Sequence, residues 1–114
     1  MQGAWVSQLR KGVVELCVLA VLRPGEAYGY EILQRLGQIE GLEFSESTVY
    51  PVLSRLARAG LLSVRTAPSP RGPRRRYYAL TQQGQQRLQD MTSYWHLVGR
   101  SMDRLLEPPD NGGE

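Results

Sequence analysis

Eight arginines, Arg55, Arg58, Arg65, Arg71, Arg74, Arg75, Arg76 and Arg87, fall between Ser47 and Gln89 with no acidic residue among them. The remaining residues of the 114-residue chain carry six basic and eleven acidic groups, so a net charge of +3 hides a strongly basic middle between acidic flanks. A segment with that imbalance attracts polyanions. Lys11 is the only lysine, and the planar guanidinium fork of arginine suits phosphate oxygens and guanine edges. The bland alternative is a solvated basic surface, and the elements that carry the arginines must decide between the two.

Other chemistry is scarce. The chain has one histidine, His96, and one cysteine, Cys17. Neither has paired carboxylates near it in sequence, and there is no phosphate-cradling glycine loop and no metal-ligand spacing, so catalysis is not expected and no cofactor or metal is implied. His96 reads as a polar surface residue. Cys17 lies in the apolar run Val13–Leu22, where a buried, inert thiol is the default. A lone cysteine cannot form an intramolecular disulfide, which favours a reducing, cytoplasmic setting. The apolar run falls short of the roughly 20 residues a bilayer needs and is interrupted by Glu15, and Met1–Ala4 lacks the features of a secretory signal, so no membrane partner is expected. With 41% hydrophobic and 22% charged residues, the composition is that of one soluble globular unit.

The elements that must position the arginines are mostly helical. The first apolar run, preceded by Leu9 and ended by Pro24-Gly25, predicts one buried helix of about four turns. Ile32, Leu33, Leu36 and Ile39 recur at helical spacing and give a second, amphipathic helix that stops near Gly41. A third begins around Ser45 to Thr48, where hydroxyl side chains can cap free N–H groups, and turns Val49, Leu53, Leu56 and Ala57 inward before Gly60 ends it. Pro51 belongs to its first turn or marks a kink. The outer face of this helix then shows Thr48, Tyr50, Ser54, Arg55 and Arg58. Next, Leu62–Thr66 alternates with period two, a Pro/Gly-rich stretch follows, and Arg74–Leu80 is β-prone at its aromatic end, so a hairpin is expected. Tyr77 and Tyr78 must point to opposite sides, with Tyr78 assigned to the core.

The fold class predicted is mainly α with a small β-hairpin, a winged helix-turn-helix followed by a long C-terminal helix. The division is residues 1–80 for the winged unit, 81–107 for the long helix and 108–114 for a disordered tail. The last helix starts after Thr81 as N-cap and runs to about Leu106, roughly 39 Å at 1.5 Å per residue. Along it Leu88, Met91, Trp95, Val98, Met102 and Leu105 alternate steps of three and four, the seam of a helix packed lengthwise on another helix. A second copy of the chain is the economical partner, with the first helix contributing; packing onto the first helix alone is the alternative.

These residues resemble the PadR-like transcriptional regulators, in their short subgroup with a single C-terminal helix. The strings that carry the resemblance are Tyr28-Gly29-Tyr30-Glu31-Ile32, Ser47-Thr48-Val49-Tyr50-Pro51-Val52-Leu53 with Leu56 and Gly60-Leu61-Leu62, and Arg76-Tyr77-Tyr78-Ala79-Leu80-Thr81 with Gly84. They occur in the family's order from about Leu9 to Leu88, and the long helix extends the likeness to about Leu106. Ser47 stands where the family commonly has Gly. The resemblance implies a dimer that binds operator DNA, usually as a repressor, and that in some members releases it when a small molecule binds. Tyr50 and Pro51 match the family's Tyr-Pro in the recognition helix, and Arg74, Arg75 and Arg76 match its basic wing strand.

On this reading the DNA-binding residues are Ser47, Thr48, Tyr50, Pro51, Ser54, Arg55 and Arg58 of the third helix, with Arg71, Arg74, Arg75 and Arg76 of the wing on backbone or minor groove. Two recognition helices about 34 Å apart would read a palindromic operator. Met91, Tyr94, Trp95, Val98 and Met102 could hold a small planar aromatic effector between paired indoles, as a Trp at the matching position does in drug-binding members; filling the dimer core is the plainer role. A winged-helix protein-interaction module without DNA binding is the competing function, and RNA binding lacks the usual exposed aromatic sheet or glycine loop.

Overall fold

The computed structural model describes residues 3–109. Its first departure from expectation is at the N-terminus, where two short helices replace a single buried one. Helix α1 spans Ala4–Lys11 and α2 spans Val14–Val21. Gly12, the poorest helix former after proline, ends α1, and the Val13 N–H turns back to the Arg10 carbonyl at 3.0 Å. None of α1 is buried, whereas Val14, Val18 and Leu19 of α2 enter the core.

A two-residue strand, β1 (Ala27–Tyr28), runs directly into α3 (Gly29–Gly37). The Glu31 carboxylate accepts the Tyr28 N–H at 3.1 Å and so caps the start of α3. Helix α4, Glu46–Arg58, holds Val49, Val52, Leu53 and Leu56 inward. Ser45 is its N-cap, but the hydroxyl bonds to Ser47 and Thr48 side chains rather than to a backbone N–H as expected. Pro51 stands in the second turn, not the first. The helix ends in a Schellman turn: Gly60 takes φ +80°, its N–H reaches the Ala57 carbonyl and the Leu61 N–H reaches Leu56.

The expected hairpin is present as β2 (Leu62–Ala67) and β3 (Arg75–Leu80), with Val64 opposite Tyr78 and Thr66 opposite Arg76. Strand β1 pairs with the other edge of β3, giving a three-stranded antiparallel sheet in the order β1-β3-β2. Tyr78 is buried, as its alternation requires.

Helix α5, Gln82–Leu106, is anchored by three contacts at its start. Thr81 Oγ1 accepts the Gly84 N–H at 3.0 Å and donates to the Gly60 carbonyl at 2.7 Å, while the Thr81 N–H reaches Leu61. A Cβ on Gly84 would lie 2.0 Å from the Leu61 carbonyl oxygen, so only glycine permits this approach. The anchored turns place Leu88 in the chain's own core. Beyond Met91 no residue of the helix is buried, and Tyr94, Trp95, Leu97, Met102, Leu105 and Leu106 are exposed along its length. Among the described residues no helix is long and apolar enough to cross a membrane. The tail expected over 108–114 lies outside the described residues from 110 onward.

Candidate nucleic-acid interface

On α4 the buried residues define one side, and Ser47, Pro51, Ser54 and Arg58 follow the opposite stripe at helical spacing. Tyr50 flanks that stripe on the side of the sheet. It lies over the start of α3 so closely that a Cβ on Gly29 would stand 2.8 Å from its ring. Between α4, the start of α3 and β3 there is a groove of about 570 Å³ lined by Tyr28, Tyr30, Tyr50, Ser54, Arg75 and Arg76, among others. Four of the expected site residues, Tyr50, Ser54, Arg75 and Arg76, therefore meet in one concavity. Partial burial, followed by the Glu46 carboxylate and the Tyr78 and Tyr30 phenols, pushes the Tyr50 phenol above its ordinary value. It keeps its proton at neutral pH and can donate to a phosphate or base acceptor.

The eight arginines between Ser47 and Gln89 divide into two sets. Arg55 pairs with Glu15 at 3.0 Å, Arg87 with the same carboxylate at 2.9 Å, and Arg65 with Glu26. Arg65 also lies 4.6 Å from the centre of the Tyr77 ring, Tyr77 meets Tyr28 edge-on at 5.5 Å, and Arg75 stands 4.3 Å over Tyr28. This ladder braces all three strands on the outer face of the sheet. Arg58, Arg71, Arg74, Arg75 and Arg76 have no acidic partner among the described residues. Arg58 is on the outer stripe of α4 and the other four are on the wing, Arg74 reaching only the Thr66 hydroxyl at 3.4 Å.

Two expectations change here. Arg55 was expected beside the reading groove, but its place on α4 turns it toward α2, where Glu15 holds it. Leu88 was expected in an intersubunit seam, but anchoring of α5 at Gly84 buries it within the subunit. Tyr30, 56% exposed, also lines this groove, although charge and periodicity did not single it out. Its signal was the Tyr28-Gly29-Tyr30 string, in which the small glycine makes room for Tyr50.

Farther along, Met91, Tyr94, Trp95 and Val98 line an apolar groove of about 490 Å³ against Gly12, Val13 and Leu16; Met102 lies outside it. A neighbouring apolar groove of about 580 Å³ shares Val13, Leu16 and Trp95 and reaches Cys17 and Leu36. Cys17 is half-buried rather than buried, and burial raises its thiol above the ordinary value. His96 is exposed. Among the described residues no three His, Cys, Asp or Glu side chains converge as a metal site.

A three-helix body with a basic β-hairpin against the third helix is a winged helix-turn-helix, and the five arginines of its acid-free middle segment that have no acidic partner lie on the recognition helix and wing. Residues 18–90 match the transcriptional regulator PadR-like family, and the chain belongs to that family. It is 31% identical to a PadR family transcriptional regulator from Eggerthella lenta, with 93% of this chain and 92% of that one covered and a TM-score of 0.83. A PadR-like transcriptional regulator from Bacillus cereus is 32% identical, with coverage of 90% and 99% and a TM-score of 0.78. The negative transcriptional regulator PadR of Bacillus subtilis is 33% identical over 82 residues, which span 68% of this chain and 44% of that protein. The chain is accordingly a DNA-binding regulator of transcription and not an enzyme.

Proposed function

We propose that the chain is a homodimeric transcriptional repressor that binds a palindromic operator. The observation that carries the DNA contact is the partition of the eight arginines between Ser47 and Gln89: three are paired with acids, and the five without acidic partners lie on the recognition helix and wing. Ser47, Thr48, Tyr50, Pro51, Ser54 and Arg58 enter or border the major groove. Arg71, Arg74, Arg75 and Arg76 hold phosphates or the minor groove. Repression is supported by the Bacillus subtilis relative, a negative regulator.

The dimer rests on α5. Trp95, Met102 and Leu105 are 49%, 41% and 75% exposed, and Trp5 and Leu9 of α1 are 68% and 71% exposed. Monomers rarely leave so extended an apolar surface uncovered, and a second α5 along the first covers it while setting the reading heads at a fixed separation. A small planar aromatic effector is proposed for the groove at Met91, Tyr94, Trp95 and Val98, closed by the partner near Met102.

A gel shift on the DNA upstream of the protein's own coding sequence, with bulk competitor DNA present, tests the function. Retention of a discrete band supports it; loss of every band under competitor favours a protein-interaction module. Trp95 fluorescence in a Trp5→Phe background, titrated with planar cationic dyes, tests the effector, and no quenching at any concentration leaves Trp95 with a packing role only.

A further inference from the structure

Glu15 is an acid shared by two arginines from two different functional elements. Its Oε1 accepts from Arg55 Nη1 of the recognition helix at 3.0 Å, and its Oε2 accepts from Arg87 Nη1 of α5 at 2.9 Å. The carboxylate side chain is 17% exposed, well below either arginine. Both α4 and α5 pack on α2, which carries Glu15 between core residues Val14 and Val18. The three elements thus meet at one charge-assisted junction with both carboxylate oxygens occupied.

We propose that Glu15 is a positioning residue for DNA binding: it clasps the recognition helix to the long helix and so fixes the distance between the two reading heads. This rests on the homodimeric DNA-binding reading above. The hydrophobic contacts of α2 with α4 and α5 are non-directional and permit small rotations. A carboxylate bonded on both oxygens adds a directional restraint, because turning either helix strains one arm. A rotation of a few degrees at the base of α5 becomes a displacement of the recognition helix relative to its symmetry mate. The clasp also explains why Arg55, although on the recognition helix, is withheld from phosphate.

Glu15→Gln keeps the shape and removes the clasp. An amide has one acceptor oxygen, and its NH2 faces an arginine donor, so one arm is lost whichever way it turns. Arg87→Met removes the α5 arm alone from an exposed position and serves as the second variant. Spin labels at Ala59 and Ser93, in a Cys17→Ser background diluted with unlabelled chain, read the α4–α5 distance within a subunit. A duplex recovered by the wild type from a random pool, then lengthened between its halves by one to three base pairs, reads head spacing. The expected result is a single narrow distance in the wild type and a distribution at least twice as broad in both variants. The variants should also lose at least ten-fold of the preference for the original spacing while still binding one half-site. Unchanged distance widths and unchanged spacing preference in both variants would overturn the proposal. If the wild type binds no duplex, the functional reading fails instead, and the label distances still decide whether the clasp orders the two helices.

Discussion

Gly29 and Tyr50 are fitted to each other: the Tyr50 ring occupies the space where any other residue at 29 would place its Cβ, 2.8 Å from Cε1. This contact fixes the tyrosine beside Arg75 and Arg76 in the groove between recognition helix and wing. Gly29→Ala should push the ring outward and lower operator affinity about ten-fold, equivalent to about 1.4 kcal/mol. A fluorescence-anisotropy titration against the operator checks this, with a thermal melt showing that the fold persists.

The wing arginines should act through phosphate. Changing Arg75 and Arg76 together to Ala is expected to weaken binding to all duplexes alike and to flatten the slope of log affinity against log salt by about 0.9 for each phosphate no longer neutralised. Titrations at four or more salt concentrations give the slope, and an unchanged slope would remove the wing from the interface.

Glycine also sets the join between wing and long helix. Gly84→Ala would set a methyl 2.0 Å from the Leu61 carbonyl oxygen, and the backbone there is tied to Thr81 and Gly60. The expected destabilisation is about 3 kcal/mol, the upper part of the range for overpacking. Denaturant unfolding of the variant beside the wild type measures it.

Much of this arrangement was legible in the residues. The three-four steps along α5, the period-two alternation of Leu62–Thr66 and the glycine stop at Gly60 are local signals, and each names its element directly. What was hidden depends on partners far apart in sequence. Arg55 looked like a groove residue because its acid, Glu15, lies 40 positions away, and Arg65 meets Glu26 39 positions away. Strand β1 is two residues long, too short for any periodicity. Leu88 fits the seam pattern equally well as a core residue, and only the close approach at Gly84 shows that it faces its own subunit. The break between α1 and α2 was signalled by Gly12 alone, just before a run whose apolar character favoured one helix.

The half-buried Cys17 thiol is held above its ordinary value by burial. At pH 7.5 it should be alkylated by iodoacetamide at least ten times more slowly than glutathione, because little thiolate is present. Its neutral form is favoured in the fold, so this contribution to stability is complete below the unfolded thiol value of about 8.5 and is lost as pH rises through the higher folded value. Timed alkylation followed by mass spectrometry reads the rate.

The dimer along α5 is the claim on which operator reading depends, and sedimentation equilibrium at micromolar concentration tests it most directly. Wild-type protein should sediment at twice the 12.8 kDa of one chain, and Leu105→Asp with Met102→Asp should shift it to the single-chain mass with the winged body still folded. A wild type that sediments as one well-folded chain, alone and on its operator duplex, would contradict the claim.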